Sequence, residues 1–341
     1  MADGWLLGIE IGGTKLQLGL GRGDGRLAAL QRRTIDAGAG APAILEQIRE
    51  AHRALLGAEG VPPRDIRGAG VGFGGPVDAG RGRPTTSFQV GGWADFPLAD
   101  WVREELDVPA VAVQNDADTA GLAEALLGAG VGCSPLLYLT IGSGIGGAVI
   151  LDGAIYRGAG RGAVEIGHLQ VPDVMSPGSP IAELEAIASG WGIAARARTV
   201  AVDRLAASGE SWVVLTNAGG DPRRITADLV AAAAREGDAL ADAVLDRARH
   251  ALAYALRQAV ALLAPRRIIL GGGVSLIGED HWFAPIRRLV DAEVFAPFRG
   301  SFDIVPAALG EEVVVHGALA LALEAASESS PRARREGSTA D

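Results

Sequence analysis

The sequence predicts an α/β protein of two lobes built on a repeated motif. Three observations lead there. Leu6 to Leu20, LLGIEIGGTKLQLGL, reads as strand, glycine turn, strand. Leu7, Ile9 and Ile11 alternate before the turn and Leu16, Leu18 and Leu20 after it, the period of half-buried strands. The pattern returns in Leu136 to Leu151, LLYLTIGSGIGGAVIL, where Ile141-Gly142 stands 130 residues after Ile11-Gly12. Two such hairpins imply two related lobes, each offering a loop to a shared cleft. Finally, a chain of 341 residues exceeds what one core usually holds.

The first turn is chemically suggestive. Gly12 and Gly13 leave no side chain to hold a ligand away, and Thr14 and Lys15 add a hydroxyl and a cation at the tip. Lys15 is the only lysine in the chain. A compact ammonium on a flexible stem suits a phosphate site. The plainer reading is a hairpin that happens to carry a lysine. Neither turn leads into a helix, and neither has Walker A spacing, which argues against a P-loop and against a dinucleotide-binding βαβ unit.

Composition sets further bounds. Hydrophobic content of 48% with 21% charged residues is that of a soluble globular protein. A net charge of −10 makes nucleic acid a poor partner. The solitary Cys133 excludes an internal disulfide and a cysteine-based zinc cage. The longest apolar run, Ala251 to Ala264, is broken by Arg257, so no membrane span is expected, and without a basic-then-apolar leader the cytoplasm is the default compartment.

In chain order, Pro42 to Leu56 is an amphipathic helix with Ile44, Leu45, Ile48, Ala51 and Leu55 on one face. Gly68 to Phe73 is a buried strand that ends in the rigid turn Gly74-Gly75-Pro76-Val77-Asp78, where Asp78 reads equally well as a turn residue. Residues 80–100 read as loop-rich, with Trp93 a packing anchor rather than a sugar platform. Val108 to Gln114 is a strand and Asn115 to Gly128 a helix. Asp116 at their junction is either a helix cap or an ionised base; the same helix start serves both roles. Glu124, two turns on, reads as surface or support. Asp152-Gly153 predicts a type I′ hairpin. Glu165 and His168 lie in AVEIGHL, and Glu185 lies on a helix expected from Ile181 to Ala201 with a break at Ser189-Gly190-Trp191. These three polar groups either converge on a hydroxylated ligand or are simply solvated. Helices follow at Thr226 to Arg235 and Ala239 to Ala264, the second stopped by Pro265. The strand Arg267 to Leu270 ends in Gly271-Gly272-Gly273, a tight turn or a bare surface for a flat ring. Glu311 to Ala326 is a final apolar helix, and Ser327 to Asp341 a polar tail expected to be disordered.

Seven segments, GIEIGGTKLQLG, GVGFGGPVD, VQNDADTAGLAEA, YLTIGSGIGGAVILDG, EIGHL, LEAIASG and IILGGGVS, occur in the order found in the ROK family of sugar kinases and repressors. The resemblance spans Leu6 to Leu323. It implies the actin-like (RNase H-like) ATPase fold, two lobes with duplicated sheets around a nucleotide and sugar cleft. Residues 1–115 would form the N-terminal lobe, 116–310 the C-terminal lobe, and helix 311–326 would pack back on the first. Asp116 falls on the family's catalytic base. Asn115, Glu165, His168 and Glu185 fall on sugar-binding positions, with Gly75 a backbone contact beside them. Gly12, Gly13, Thr14, Gly142, Ser143 and Gly144 would cradle phosphates, with Lys15 beside them, and Gly272 and Gly273 would lie near adenosine.

Departures from the family pattern are also visible. Glu10 stands where the family usually has Asp, in a position tied to the metal and phosphate region. Residues 171–180, VPDVMSPGSP, lack the cysteines of the family's zinc loop, so no zinc is expected. Val164 replaces a usual Gly, and Gln89 stands near a usual sugar-binding Asn. The resemblance thus implies an ATP- and Mg²⁺-dependent kinase of a glucose-like hexose, with an N-acetylhexosamine as alternative acceptor and a homodimer as the expected assembly. The alternatives are a non-catalytic sugar-binding protein, or a repressor, for which the first hairpin leaves no room for a preceding helix-turn-helix.

Overall fold

The structure, a computed structural model, describes residues 4–87, 89–159 and 164–329. Residues 330–341, most of the expected tail, lie outside them. The chain runs β1 (Trp5–Ile11), β2 (Lys15–Gly21), β3 (Leu27–Thr34), α1 (Gly40–Glu59), β4 (Ile66–Phe73), β5 (Val77–Asp78), β6 (Arg83–Pro84), α2 (Leu98–Glu105), β7 (Val111–Asn115), α3 (Asp116–Leu127), β8 (Leu136–Ile141), β9 (Ile145–Leu151) and β10 (Ala154–Ile155). It continues through β11 (Gln170–Pro172), β12 (Ile181–Glu183), α4 (Leu184–Ala188), α5 (Gly190–Ser208), α6 (Val213–Asn217), α7 (Ala227–Arg235), α8 (Ala239–Leu263), β13 (Arg267–Gly271), α9 (Ala284–Glu293), β14 (Asp303–Pro306) and α10 (Val313–Glu328). Described residues up to Gly132, those of Ala148–Ala163 and those from Ala308 on form one compact unit; Cys133–Gly147 and Val164–Ala307 form another. This boundary at Gly132 lies beyond the sequence-based division after residue 115, because α3 packs on α10.

The first unit holds a five-stranded sheet of order β3-β2-β1-β4-β7. β1 pairs antiparallel with β2 and parallel with β4, and β4 pairs parallel with β7. One face is covered by α1, through Ile44, Leu45, Ile48, Ala51 and Leu55. The opposite face is covered by α10. The strands β1 and β2 are therefore buried on both faces rather than half-buried. The cause is in the glycines: Gly8, Gly68 and Gly70 present bare backbone to α10, and a Cβ at Gly70 would overlap the Ala318 carbonyl. Gly317 lets α10 approach α3 in the same way, against the Thr119 carbonyl. Trp93 is buried edge-on between Phe73 and Phe96, with ring centroids 5.2 and 5.5 Å away, the packing role expected of it. Asp152 and Gly153 take φ of 51° and 81°, as a type I′ turn requires, and close the β9–β10 hairpin.

In the second unit β8 pairs parallel with β13, which pairs parallel with β14. The long helix α8 packs against α4, α5, α7 and α9. Two expectations change, the start of one helix and the end of another. Ile181–Glu183 is a strand paired with β11, so the helix expected from Ile181 starts only at Leu184. The stretch 80–100 is loop-rich as expected, with only β6 inside it among the described residues before Leu98 opens α2. The final helix continues to Glu328, past the expected start of the tail. No helix among the described residues is long and apolar enough to cross a membrane.

The glycine contacts make a testable contrast. Gly317→Ala forces a methyl into the Thr119 backbone and should destabilise by about 1–3 kcal/mol in urea unfolding. Gly57→Ala, on α1 with no atom within 4 Å of the new carbon, should stabilise by about 0.5–1 kcal/mol. Equal effects of the two would contradict the packing described.

Candidate active site

In the first unit three chain segments meet at the ends of β1, β4 and β7. The turn after β1 is closed by the Gly12 N–H donating to the Lys15 carbonyl at 2.9 Å. The Gly74 N–H donates to the Ile11 carbonyl at 2.8 Å, which brings the Gly74-Gly75 turn against the first hairpin. Asn115 caps α3: its side-chain oxygen accepts from the N–H groups of Ala117 at 2.8 Å and Asp118 at 3.3 Å. Its amide donates to the Gly75 carbonyl at 3.0 Å. Asp116 follows in the first turn of α3, half-buried, where unpaired N–H groups favour negative charge. Its carboxylate sits beside Gly74: a Cβ built there would lie 3.4 Å from Gly12 Cα and 3.5 Å from Asp116 Oδ2. Gly12, Gly75, Asn115 and Asp116 are thus gathered at one place. Gln89, noted in the sequence near a usual sugar-binding Asn, lies against the first turn: its side-chain amide covers Gly13 so closely that a Cβ would overlap it.

Charge at the base of this hairpin is organised around Glu10. Glu10 is buried and accepts from Gln17 Nε2 at 2.6 Å, with Lys15 Nζ 3.1 Å from its other oxygen. Lys15 and Gln17 both donate onward to the Glu311 carbonyl, at 3.2 and 3.0 Å. The ammonium read from sequence as a phosphate ligand therefore has a carboxylate partner within the protein. Burial pushes the Glu10 carboxyl above its ordinary range, while Lys15 and the Gln17 hydrogen bond pull it down. Glu124 is support rather than surface: fully buried, it accepts from the N–H groups of Ala129, Ala308 and Leu309 at 2.7 to 2.9 Å.

In the second unit the glycine turn after β8 is tied from three sides. The Gly142 N–H donates to the Gly144 carbonyl at 2.9 Å, and the Gly190 N–H of α5 donates to the Gly142 carbonyl at 2.7 Å. Glu185 accepts from the Ile145 N–H at 2.7 Å, its carboxylate lying where a side chain on Gly144 would go. Gly272, at φ 80°, lies against the Ile141 backbone, while Gly142 and Gly273 face open space. Gly142, Ser143, Gly144, Glu185 and Gly272 are thus neighbours, with the N-terminus of the 19-residue helix α5 among them, an arrangement that suits phosphate. Glu165 and His168 stand exposed on the short turn Ile166–His168 and at its start, with His168 Nδ1 3.6 Å from Glu183 Oε2. Among the described residues no group of three His, Cys, Asp or Glu side chains is arranged to hold a metal.

The sequence profile described as the ROK family matches residues 6–325. A glucokinase of Halalkalibacterium halodurans is 31% identical over 323 residues, covering 93% of this chain and 94% of that one. A kanosamine kinase of Amycolatopsis mediterranei is 30% identical over 326 residues, covering 94% of this chain and 97% of that one. Among solved structures, a ROK family glucokinase from Streptomyces griseus in complex with glucose and AMPPNP superposes with a TM-score of 0.77 at 28% identity. That match covers 94% of this chain and 100% of the other.

The burial of Glu10 predicts a pH signature. With its folded pKa above the ordinary 4.5, Glu10 contributes stability that is complete below that value and lost as the pH rises through the folded one. Glu10→Gln removes this slope. The melting temperature of E10Q minus that of the wild type should therefore become more positive from acid towards neutral pH. A difference that stays flat or falls would show that Glu10 is not held above its ordinary value.

Proposed function

This chain belongs to the ROK family, and we propose that it transfers the γ-phosphoryl group of ATP to the 6-hydroxyl of a glucose-like hexose. It is a sugar kinase, with the α/β actin-like (RNase H-like) fold of that family; the proposal concerns the acceptor, the donor and the roles of residues. The observation that supports it most is the Asp116 carboxylate beside Gly12 and Gly74, at the start of a helix whose cap is tied to Gly75.

In this reading Asp116 takes the proton of the sugar hydroxyl as its oxygen attacks the γ-phosphorus. The bond from that phosphorus to the bridging oxygen breaks, and ADP leaves. The turns at Gly12-Gly13-Thr14 and Gly142-Ser143-Gly144 hold phosphate oxygens through backbone N–H groups other than those of Gly12 and Gly142, which close the turns themselves, and Gly272-Gly273 bears the adenosine. Asn115, Gly75, Glu165, His168 and Glu185 hold sugar hydroxyls. Asn115 does so from a fixed position, because its amide and oxygen are both anchored. Phosphoryl transfer asks for alignment and charge neutralisation more than covalent work. Mg²⁺ would arrive on the nucleotide phosphates, with no protein cage for it among the described residues, and would neutralise their charge. Lys15, paired with Glu10, acts by holding the turn. The reading takes the enzyme as a homodimer with no nucleic-acid or membrane partner.

A kanosamine kinase at 30% identity widens the acceptor class to amino sugars. A coupled ADP-release assay over hexoses, N-acetylhexosamines and kanosamine, with ATP or polyphosphate as donor, tests the proposal. Turnover of glucose with ATP is expected; turnover of no sugar with either donor would overturn it. Asp116→Ala should lower kcat by about 10²–10⁴-fold and leave sugar affinity within about tenfold. A parallel loss of affinity would reassign Asp116 to sugar binding.

A further inference from the structure

The hairpin β11–β12 separates His168 from Glu185, and its far end is a loop of Pro, Gly and Ser with exposed Val174 and Met175. Nothing apolar anchors that loop. A single charged residue does. Asp173 is 4% exposed, and its Oδ2 accepts from Arg247 Nε on α8 at 2.9 Å and from Ser176 Oγ at 2.5 Å. Its N–H donates to the Pro180 carbonyl at 2.8 Å, closing the loop on itself. Arg247 is largely buried too, with 16% of its side chain exposed. Buried charges persist only when paired, so this pair fixes where the loop meets α8.

The hairpin transmits that position to its base. Gln170 pairs with Glu183, Val171 with Ala182 and Pro172 with Ile181. Below them the Leu184 N–H donates to the Leu169 carbonyl at 2.9 Å. His168 stands two residues before β11 and faces Glu183; Glu185 stands two residues after β12 and holds the second glycine turn. A shift of the loop along α8 would therefore move both residues together.

We propose that the buried Asp173–Arg247 pair is a positioning device that sets the placement of His168 and Glu185, and through them acceptor affinity, without touching the reacting atoms. The proposal rests on the sugar-kinase reading given above. It is tested with Arg247→Met, Asp173→Asn, their combination, and the charge-conserving Arg247→Lys. Amide hydrogen exchange over residues 169–185 and steady-state kinetics in both substrates are measured on the full chain. R247M and D173N should each speed exchange across 169–185. Each should raise sugar KM about tenfold or more and ATP KM by clearly less, the latter because Glu185 also braces the second glycine turn, while kcat stays within about threefold, since misplacement of binding groups by about 1 Å is enough for that loss. The double variant should be no worse than either single one, because the two side chains act as a unit. R247K, which keeps the charge on a more adaptable stem, should recover part of the sugar KM, and it serves as the folded variant if R247M does not fold. Unchanged exchange in 169–185 overturns the pair as a positioning device whatever the activity. Equal losses in both KM values and kcat reduce it to general stability and overturn the proposal as well. Absence of turnover in the wild type would instead overturn the kinase reading, and the exchange measurement alone then decides the pair.

Discussion

The first unit depends on backbone touching backbone where α10 crosses the central sheet. A helix normally stands off a sheet by the width of its side chains. Here Gly8, Gly68 and Gly70 on the strands remove that spacing, and Gly317 does the same between α10 and α3. Everything chemically interesting in the unit is referenced to the result. Helix α3, which begins with Asn115 and Asp116, packs on α10. The carbonyl of Glu311, just before α10, collects hydrogen bonds from Lys15 and Gln17 beside the first glycine turn, and Glu312 pairs with Arg32 of β3. Moving α10 by the diameter of a methyl group would thus disturb both Asp116 and the first glycine turn, the base and phosphate loop of the proposed function.

The electrostatics follow the same economy. A buried carboxylate is costly unless opposed, and Glu10 is opposed by the one lysine in the chain. The longer Glu side chain fits because Gln17 and Lys15 come from the neighbouring strand, where Glu10 pairs directly with Gln17. In the second unit Glu185 plays a comparable part: its carboxylate stands in for a side chain that Gly144 lacks and fixes the Ile145 N–H. Each glycine turn thus has an acidic side chain against it, Glu10 through Lys15 in the first and Glu185 in the second.

Legibility in the sequence followed the range of the forces involved. Strand-turn-strand hairpins and the α1 face were readable because alternation and helical periodicity are local. Asn115 and Asp116 were readable because helix caps have a local signature. Glu124 was not: two of its three hydrogen bonds come from Ala308 and Leu309, far along the chain. The double burial of β1 and β2 could not be read from alternation, since the partner that buries the second face is α10. The strand Ile181–Glu183 was hidden for the same reason; its identity comes from pairing with β11 and not from its own three residues. Lys15 was visible as a solitary cation, whereas its partner Glu10 was judged only as a substitution.

The crossing of α10 over β1 and β4 also bears on synthesis. The strands that need it are made first, and about 240 residues separate Phe73 from Val313. At about 5–20 residues per second a ribosome takes on the order of 10–50 s to cover that distance. Throughout that interval the nascent sheet exposes glycine-lined, hydrogen-bonded backbone with nothing to shelter it. The opening segment of the polypeptide must wait for α10 before its centre is dry, so its packing is completed long after its strands emerge.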